Sequence, residues 1–110
     1  LIYCPGAGRQ EYIIPEGTLD IGEYAFSDCS DLTSVEIPNS VTEIGSYAFA
    51  GCSKLKTVNM KKATGITSIG SKAFSKIDAK AKVTVPAKKL SKYKRMLKKA
   101  GLPKKATVKK

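Results

Sequence analysis

Residues 14–36 (IPEGTLDIGEYAFSDCSDLTSVE) and residues 37–59 (IPNSVTEIGSYAFAGCSKLKTVN) are two copies of one 23-residue unit. In register, Ile21 pairs with Ile44, Gly22 with Gly45, Ala25 with Ala48 and Phe26 with Phe49; Cys29, Leu32 and Val35 then pair with Cys52, Leu55 and Val58. A third copy begins at Met60, takes a two-residue insertion, and continues as ITSIGSKAF over residues 66–74. Repetition at this period restricts the chain to a stacked architecture. One unit cannot bury its apolar side alone, but neighbours laid on one another share a continuous core. All three phenylalanines of the chain, Phe26, Phe49 and Phe74, fall at one repeat position. The spacing predicts a column of rings running through the stack.

The same register places the strands. Residues 12–14, 35–37, 58–60 and 83–85 recur at spacings of 23, 23 and 25, and a proline follows three of them, at Pro15, Pro38 and Pro86. There it ends a strand without removing a donor from inside it. The first and third residue of each is apolar or aromatic, an alternation that turns one face to a core and the other to solvent. A second short extended segment is predicted to end in Ile21-Gly22, Ile44-Gly45 and Ile69-Gly70, with the glycine turning the chain through positive φ. The first copy carries Thr18 where Val41 and Ile66 stand in the others.

The Ile-Pro, Val-Thr-Glu-Ile-Gly, Ala-Phe, Cys and Leu pattern of residues 12–77 resembles the BspA-type leucine-rich repeat. The resemblance implies a right-handed solenoid of short parallel strands and turns, found mostly in secreted and cell-surface proteins and used for recognition, as in adhesins and surface antigens. Coils then start near residues 14, 37 and 60, with residues 1–13 a partial or preceding coil. Residues 1–10 are similar to the chain that precedes a repeat in such proteins, and residues 5–8 (PGAG) read as a turn.

Charge divides the chain. The net of +11 is the sum of −2 over residues 1–75 and +13 over residues 76–110, where fourteen basic side chains stand against Asp78 alone. A domain of residues 1–77 carrying the repeats and one of residues 78–110 closing them follow from this asymmetry. No apolar run approaches the length of a transmembrane helix. The chain begins at Leu1 and is read as a piece of a longer precursor, whose expected destination is secretion or the cell surface.

Catalytic chemistry finds little support. Histidine, the commonest base near neutral pH, is absent. Three cysteines without a Cys-x-x-Cys pair make poor zinc-site arithmetic, so no metal and no cofactor is expected. Cys29 and Cys52 lie one coil apart, about 5 Å between backbones, a separation compatible with a disulfide. The third copy places Ile77 at their position, which favours small buried hydrophobes over a bridge.

Binding is better supported. The outward rows of the main sheet are predicted to be Glu11, Ser34, Thr57 and Lys82, and beside them Ile13, Glu36, Asn59 and Thr84. In repeat proteins such variable outward side chains on a shared frame carry specificity, which makes Glu11, Ser34, Glu36, Thr57, Asn59, Lys82 and Thr84 the candidates for contact with a protein or glycan. The alternative is that they are polar surface only. The strand at residues 12–14 would offer an edge open to self-pairing.

After Pro86 the pattern changes. Residues 87–100 (AKKLSKYKRMLKKA) carry Leu90, Tyr93, Leu97 and Ala100 at helical steps of three and four, with lysines around the remainder. Gly101 and Pro103 stop the helix, and residues 106–108 are expected to form a last short strand. An amphipathic helix of this kind closes the end of a repeat stack with its apolar side and leaves its charges in water. Lys88, Lys92, Arg95 and Lys99 are candidates for weak contact with a polyanion such as anionic wall polymer or lipid. Nucleic acid is disfavoured, since the tail holds one arginine and only Tyr93 as an interleaved aromatic.

Overall fold

Each repeat lays down two short strands, and the structure, a computed structural model describing residues 11–110, stacks them into two parallel sheets. The strands are β1 (Glu11–Ile13), β2 (Asp20–Ile21), β3 (Ser34–Glu36), β4 (Glu43–Ile44), β5 (Thr57–Asn59), β6 (Ser68–Ile69), β7 (Lys82–Thr84) and β8 (Thr107–Lys109). One sheet runs β1-β3-β5-β7-β8 and the other β2-β4-β6. The architecture is a leucine-rich-repeat solenoid closed by a C-terminal helix. The expectations for residues 1–10, including the turn at residues 5–8, lie outside the described residues.

The main-sheet strands start and end one residue earlier than the apolar pattern predicts. Ile14, Ile37, Met60 and Val85 are buried as expected, yet they lie just past the ladder. Their N–H groups still donate to the next coil, to the carbonyls of Glu36 (3.0 Å), Asn59 (2.8 Å), Thr84 (2.7 Å) and Lys109 (2.8 Å). The chain then turns, at a proline in three of the four cases.

A third side of each coil also bonds along the stack without being a strand. Tyr24, Phe26 and Asp28 donate their N–H groups to the carbonyls of Ser46, Ala48 and Ala50, and Tyr47, Phe49 and Gly51 do the same to Ser71, Ala73 and Ser75. Inside these three sides lies the core. Phe26, Phe49 and Phe74 are fully buried and stack with centroids 5.0 and 5.2 Å apart and planes within 11°. Tyr12 flanks the column, 5.7 Å from Phe26. Thr18 is half-buried where Val41 and Ile66 are buried.

The glycines that follow the second strands act differently from expectation. Gly22, Gly45 and Gly70 are not among the residues at positive φ. Gly45 and Gly70 are needed because successive backbones touch there: a Cβ on Gly45 would meet the Glu23 nitrogen at 2.6 Å, and one on Gly70 would collide with the Ser46 nitrogen. The left-handed turn falls two residues later, on Tyr24 (φ 59°), Tyr47 (60°) and Lys72 (58°), and again on Asp28 (56°), Gly51 (81°) and Lys76 (59°).

The basic segment is a 3-10 turn (Ala87–Lys89) leading into α1 (Leu90–Lys99), shorter than the single helix expected over residues 87–100. Ala87 follows the buried, extended Pro86, and the first N–H of the turn that bonds is that of Lys89, to the Pro86 carbonyl (2.9 Å). The helix stops at Gly101, which takes φ +86° as a left-handed C-terminal cap. Tyr93, Leu97 and Ala100 are fully buried and Leu90 partly so. The helix ties in by backbone as well, since the Ala100 carbonyl accepts the Phe74 N–H (3.0 Å), the place that Ala48 and Ala73 hold for Phe26 and Phe49. The chain then returns to the main sheet, where β8 pairs parallel to β7 at residues 107–109 rather than 106–108.

Candidate functional site

The outward side chains of the main sheet come together as two straight rows. Parallel register aligns Glu11, Ser34, Thr57, Lys82 and Thr107 in one, and Ile13, Glu36, Asn59, Thr84 and Lys109 in the other. Between them Val35, Val58 and Val83 point inward and are fully buried. The apolar centre of each strand therefore holds the frame while its two neighbours face solvent. Glu11, Ile13, Thr57 and Lys82 are exposed, and Ser34, Glu36, Asn59 and Thr84 are half-buried. Ile13, at 68% exposure, is the most exposed large hydrophobic side chain of those described. The fifth strand widens the face to about 19 Å at ordinary strand spacing. Its contribution was missed because residues 106–108 follow a helix and fall outside the repeat period.

The members of the rows are not equivalent. The Asn59 side-chain oxygen accepts the Lys61 N–H at 3.0 Å, holding the turn after β5. Asn59 is thereby committed to the local fold, whereas Ser34, Glu36 and Thr57 project from the sheet with no such bond to a turn.

The lysines singled out on the basic segment do not form one helical row from end to end. Lys92, Arg95 and Lys99 are exposed on α1, but Lys88 belongs to the preceding 3-10 turn. Lys94 and Lys98 instead line a cleft of about 780 Å³ with the chain that leads into β8.

A second feature absent from the sequence reading is the aromatic pair Tyr24 and Tyr47. Their rings stack on the outside of the third face, with centroids 4.9 Å apart and planes within 2°. The 23-residue spacing was the available signal, but nothing in it shows that the strained left-handed turn would fall on tyrosines. Beside Tyr47 lies a shallow concavity of about 240 Å³, bordered by Asp28, Lys72 and Lys76.

The cysteines require a correction. Cys29 is disulfide-bonded and Cys52 is free, so the two do not share a fate despite equivalent positions, and Cys29 is not the buried thiol that the third copy suggested. Cys52 is fully buried and its thiol donates to the Phe26 carbonyl at 2.9 Å. Burial pushes this thiol up from 9.0 to about 11, against a backbone hydrogen bond at Cys29 and with the charge of Asp28. A raised folded-state value means that stability is fully present below pH 9 and is lost as pH climbs toward 11, because the unfolded chain ionises first. Unfolding free energy is expected to fall by about 1 kcal/mol per pH unit across that window. The Cys52→Ala variant should show a shallower decline, and parallel curves for the two proteins would refute the assignment.

Among the described residues no group of three or more His, Cys, Asp or Glu is placed to hold a metal ion, and no helix is long and apolar enough to cross a membrane. A family model described as the BspA type leucine rich repeat region matches residues 7–104 as six copies. No curated protein and no solved structure matches the chain.

Proposed function

The chain belongs to the BspA-type leucine-rich repeat family, and from that premise we propose that it is a non-enzymatic recognition and adhesion module of a secreted or cell-surface protein. Proteins of this family are repeat proteins of protein interaction, typically bacterial and surface or secreted. The observation that carries the reading is the pair of outward rows. Buried valines recur at the centres of β3, β5 and β7, while the side chains flanking them vary from serine and glutamate to threonine, asparagine and lysine. A constant frame presenting a variable face is the arrangement by which repeat proteins discriminate partners. A protein or glycan laid across the strands would meet Glu11, Ser34, Glu36, Thr57, Lys82 and Thr84 together.

The test uses the chain immobilised and probed with purified extracellular glycoproteins and a glycan array. Replacing Ser34, Glu36 and Thr57 together by alanine truncates projecting side chains and leaves the Asn59 turn intact, so the melting temperature should barely change. Binding to whatever partner the native chain retains is expected to weaken roughly tenfold or more. Unchanged binding would sink the sheet-face reading. It would favour the alternative, a structural end of a longer array whose Lys88, Lys92, Arg95 and Lys99 touch anionic wall polymer or lipid.

A further inference from the structure

Strand β8 combines three features. The first is a strand edge with which no described strand pairs. β8 is last in its sheet, and its pairing with β7 uses alternate residues: the Thr107 N–H donates to the Ala81 carbonyl, and the Lys109 carbonyl accepts from Val85, both at 2.8 Å. Hydrogen-bonding groups of successive strand residues point to opposite edges, so the Val108 N–H and carbonyl face away from β7.

The second feature is a cavity on that open side. Val108 lines the cleft of about 780 Å³ with Leu102 and Pro103, and all three are half-buried, a partly exposed apolar floor beside α1. The volume lies within the range of ordinary ligand sites. The third is charge. Lys94, Lys98 and Lys104 stand around the floor, all exposed, with no acidic residue in the lining.

Lysines beside an open edge are a known protection against pairing with another copy of the same strand. That protection depends on sign. It repels a second β8, which carries Lys109 and follows Lys105, and it attracts a strand of opposite charge. We propose that the β8 edge docks an extended acidic peptide segment, which continues the sheet as a further strand. Its backbone pairs with Val108, its carboxylates meet Lys94, Lys98 and Lys104, and its apolar side chains rest on Leu102 and Val108. Main-chain bonds supply affinity in this mode of recognition, and the flanking side chains supply selectivity. The site adjoins the outward face at Thr107 but is built on Val108, Leu102 and the lysines of α1, and it stands whether or not that face binds a partner.

The experiment is fluorescence anisotropy with the full chain and a labelled heptapeptide alternating valine and glutamate. Saturable one-to-one binding is expected, weakened roughly tenfold or more when the peptide backbone is N-methylated at alternate residues. The double variant Lys94→Glu/Lys98→Glu, at exposed positions, should lose the acidic peptide and gain its valine–lysine counterpart with an unchanged melting curve. Val108→Pro removes the outward N–H and should weaken binding with the lysines intact. Equal binding of the N-methylated peptide would overturn the proposal in favour of bare polyanion contact. No binding, binding unchanged in the charge-reversed variant, or concentration-dependent association of the chain that the peptide does not reverse would equally overturn it.

Discussion

Phe49→Ala is expected to destabilise the protein by about 3–5 kcal/mol, the cost typical of removing a ring from a packed core. Phe49 is fully buried and sits between Phe26 and Phe74, at 5.0 and 5.2 Å. Its loss therefore opens a gap in the middle coil with a ring above and a ring below. Coils communicate only with their neighbours in such a stack, so a central break removes support from both sides. Chemical denaturation measures the effect. Tyr24→Ala, a stacked but 56% exposed ring on the outer face, provides the control and should cost less than about 1 kcal/mol. A similar small cost for Phe49→Ala would show that the rings do not form the core.

The second large effect is expected at Tyr93. Its hydroxyl donates to the Ala63 carbonyl at 2.6 Å and accepts the Ile66 N–H at 3.0 Å. These groups belong to the stretch that makes the third copy two residues longer than the others. The longer turn and the cap helix are thus parts of one joint. Tyr93→Phe keeps the ring and strands two buried backbone groups, each costing about 1–3 kcal/mol. The sum should be about 2–4 kcal/mol, less than a naive addition where the turn relaxes. Hydrogen exchange gives a local readout: the Ile66 amide should lose protection by roughly a factor of 100. Undiminished protection at Ile66 would show that the hydroxyl is not its partner. The burial that raises the pKa of this phenol keeps it protonated and able to donate.

Much of this architecture was legible in the chain because the information is periodic. Val35, Val58 and Val83 recur at fixed intervals, and parallel pairing needs nothing more to set its register. The rows of outward residues follow from that register alone. What escaped was aperiodic or depended on contact between coils. Residues 107–109 lie beyond a helix, so no repeat announces that they rejoin the sheet. Gly45 and Gly70 looked like turn glycines, but their role depends on how closely two backbones approach, a distance that one coil does not encode. The positive φ at Tyr24 and Tyr47 runs against ordinary residue preference, at residues whose N–H groups bond to the next coil, to the carbonyls of Ser46 and Ser71. Cys29 and Cys52 occupy equivalent positions, so their different states could not be separated by the repeat pattern. The cleft beside α1 likewise arises where two unlike segments meet, Lys94 and Lys98 from the helix and Leu102 to Val108 from the return strand.

The hydrogen bonds on all three sides of a coil run along the axis of the stack, while the covalent chain circles around it. Tension applied between the two ends would thus load the bonds of each junction in parallel and successive junctions in series. Such an object resists until its weakest seam yields, then lengthens in discrete steps of one coil at a time. A tether built this way would give under load by lengthening before it let go.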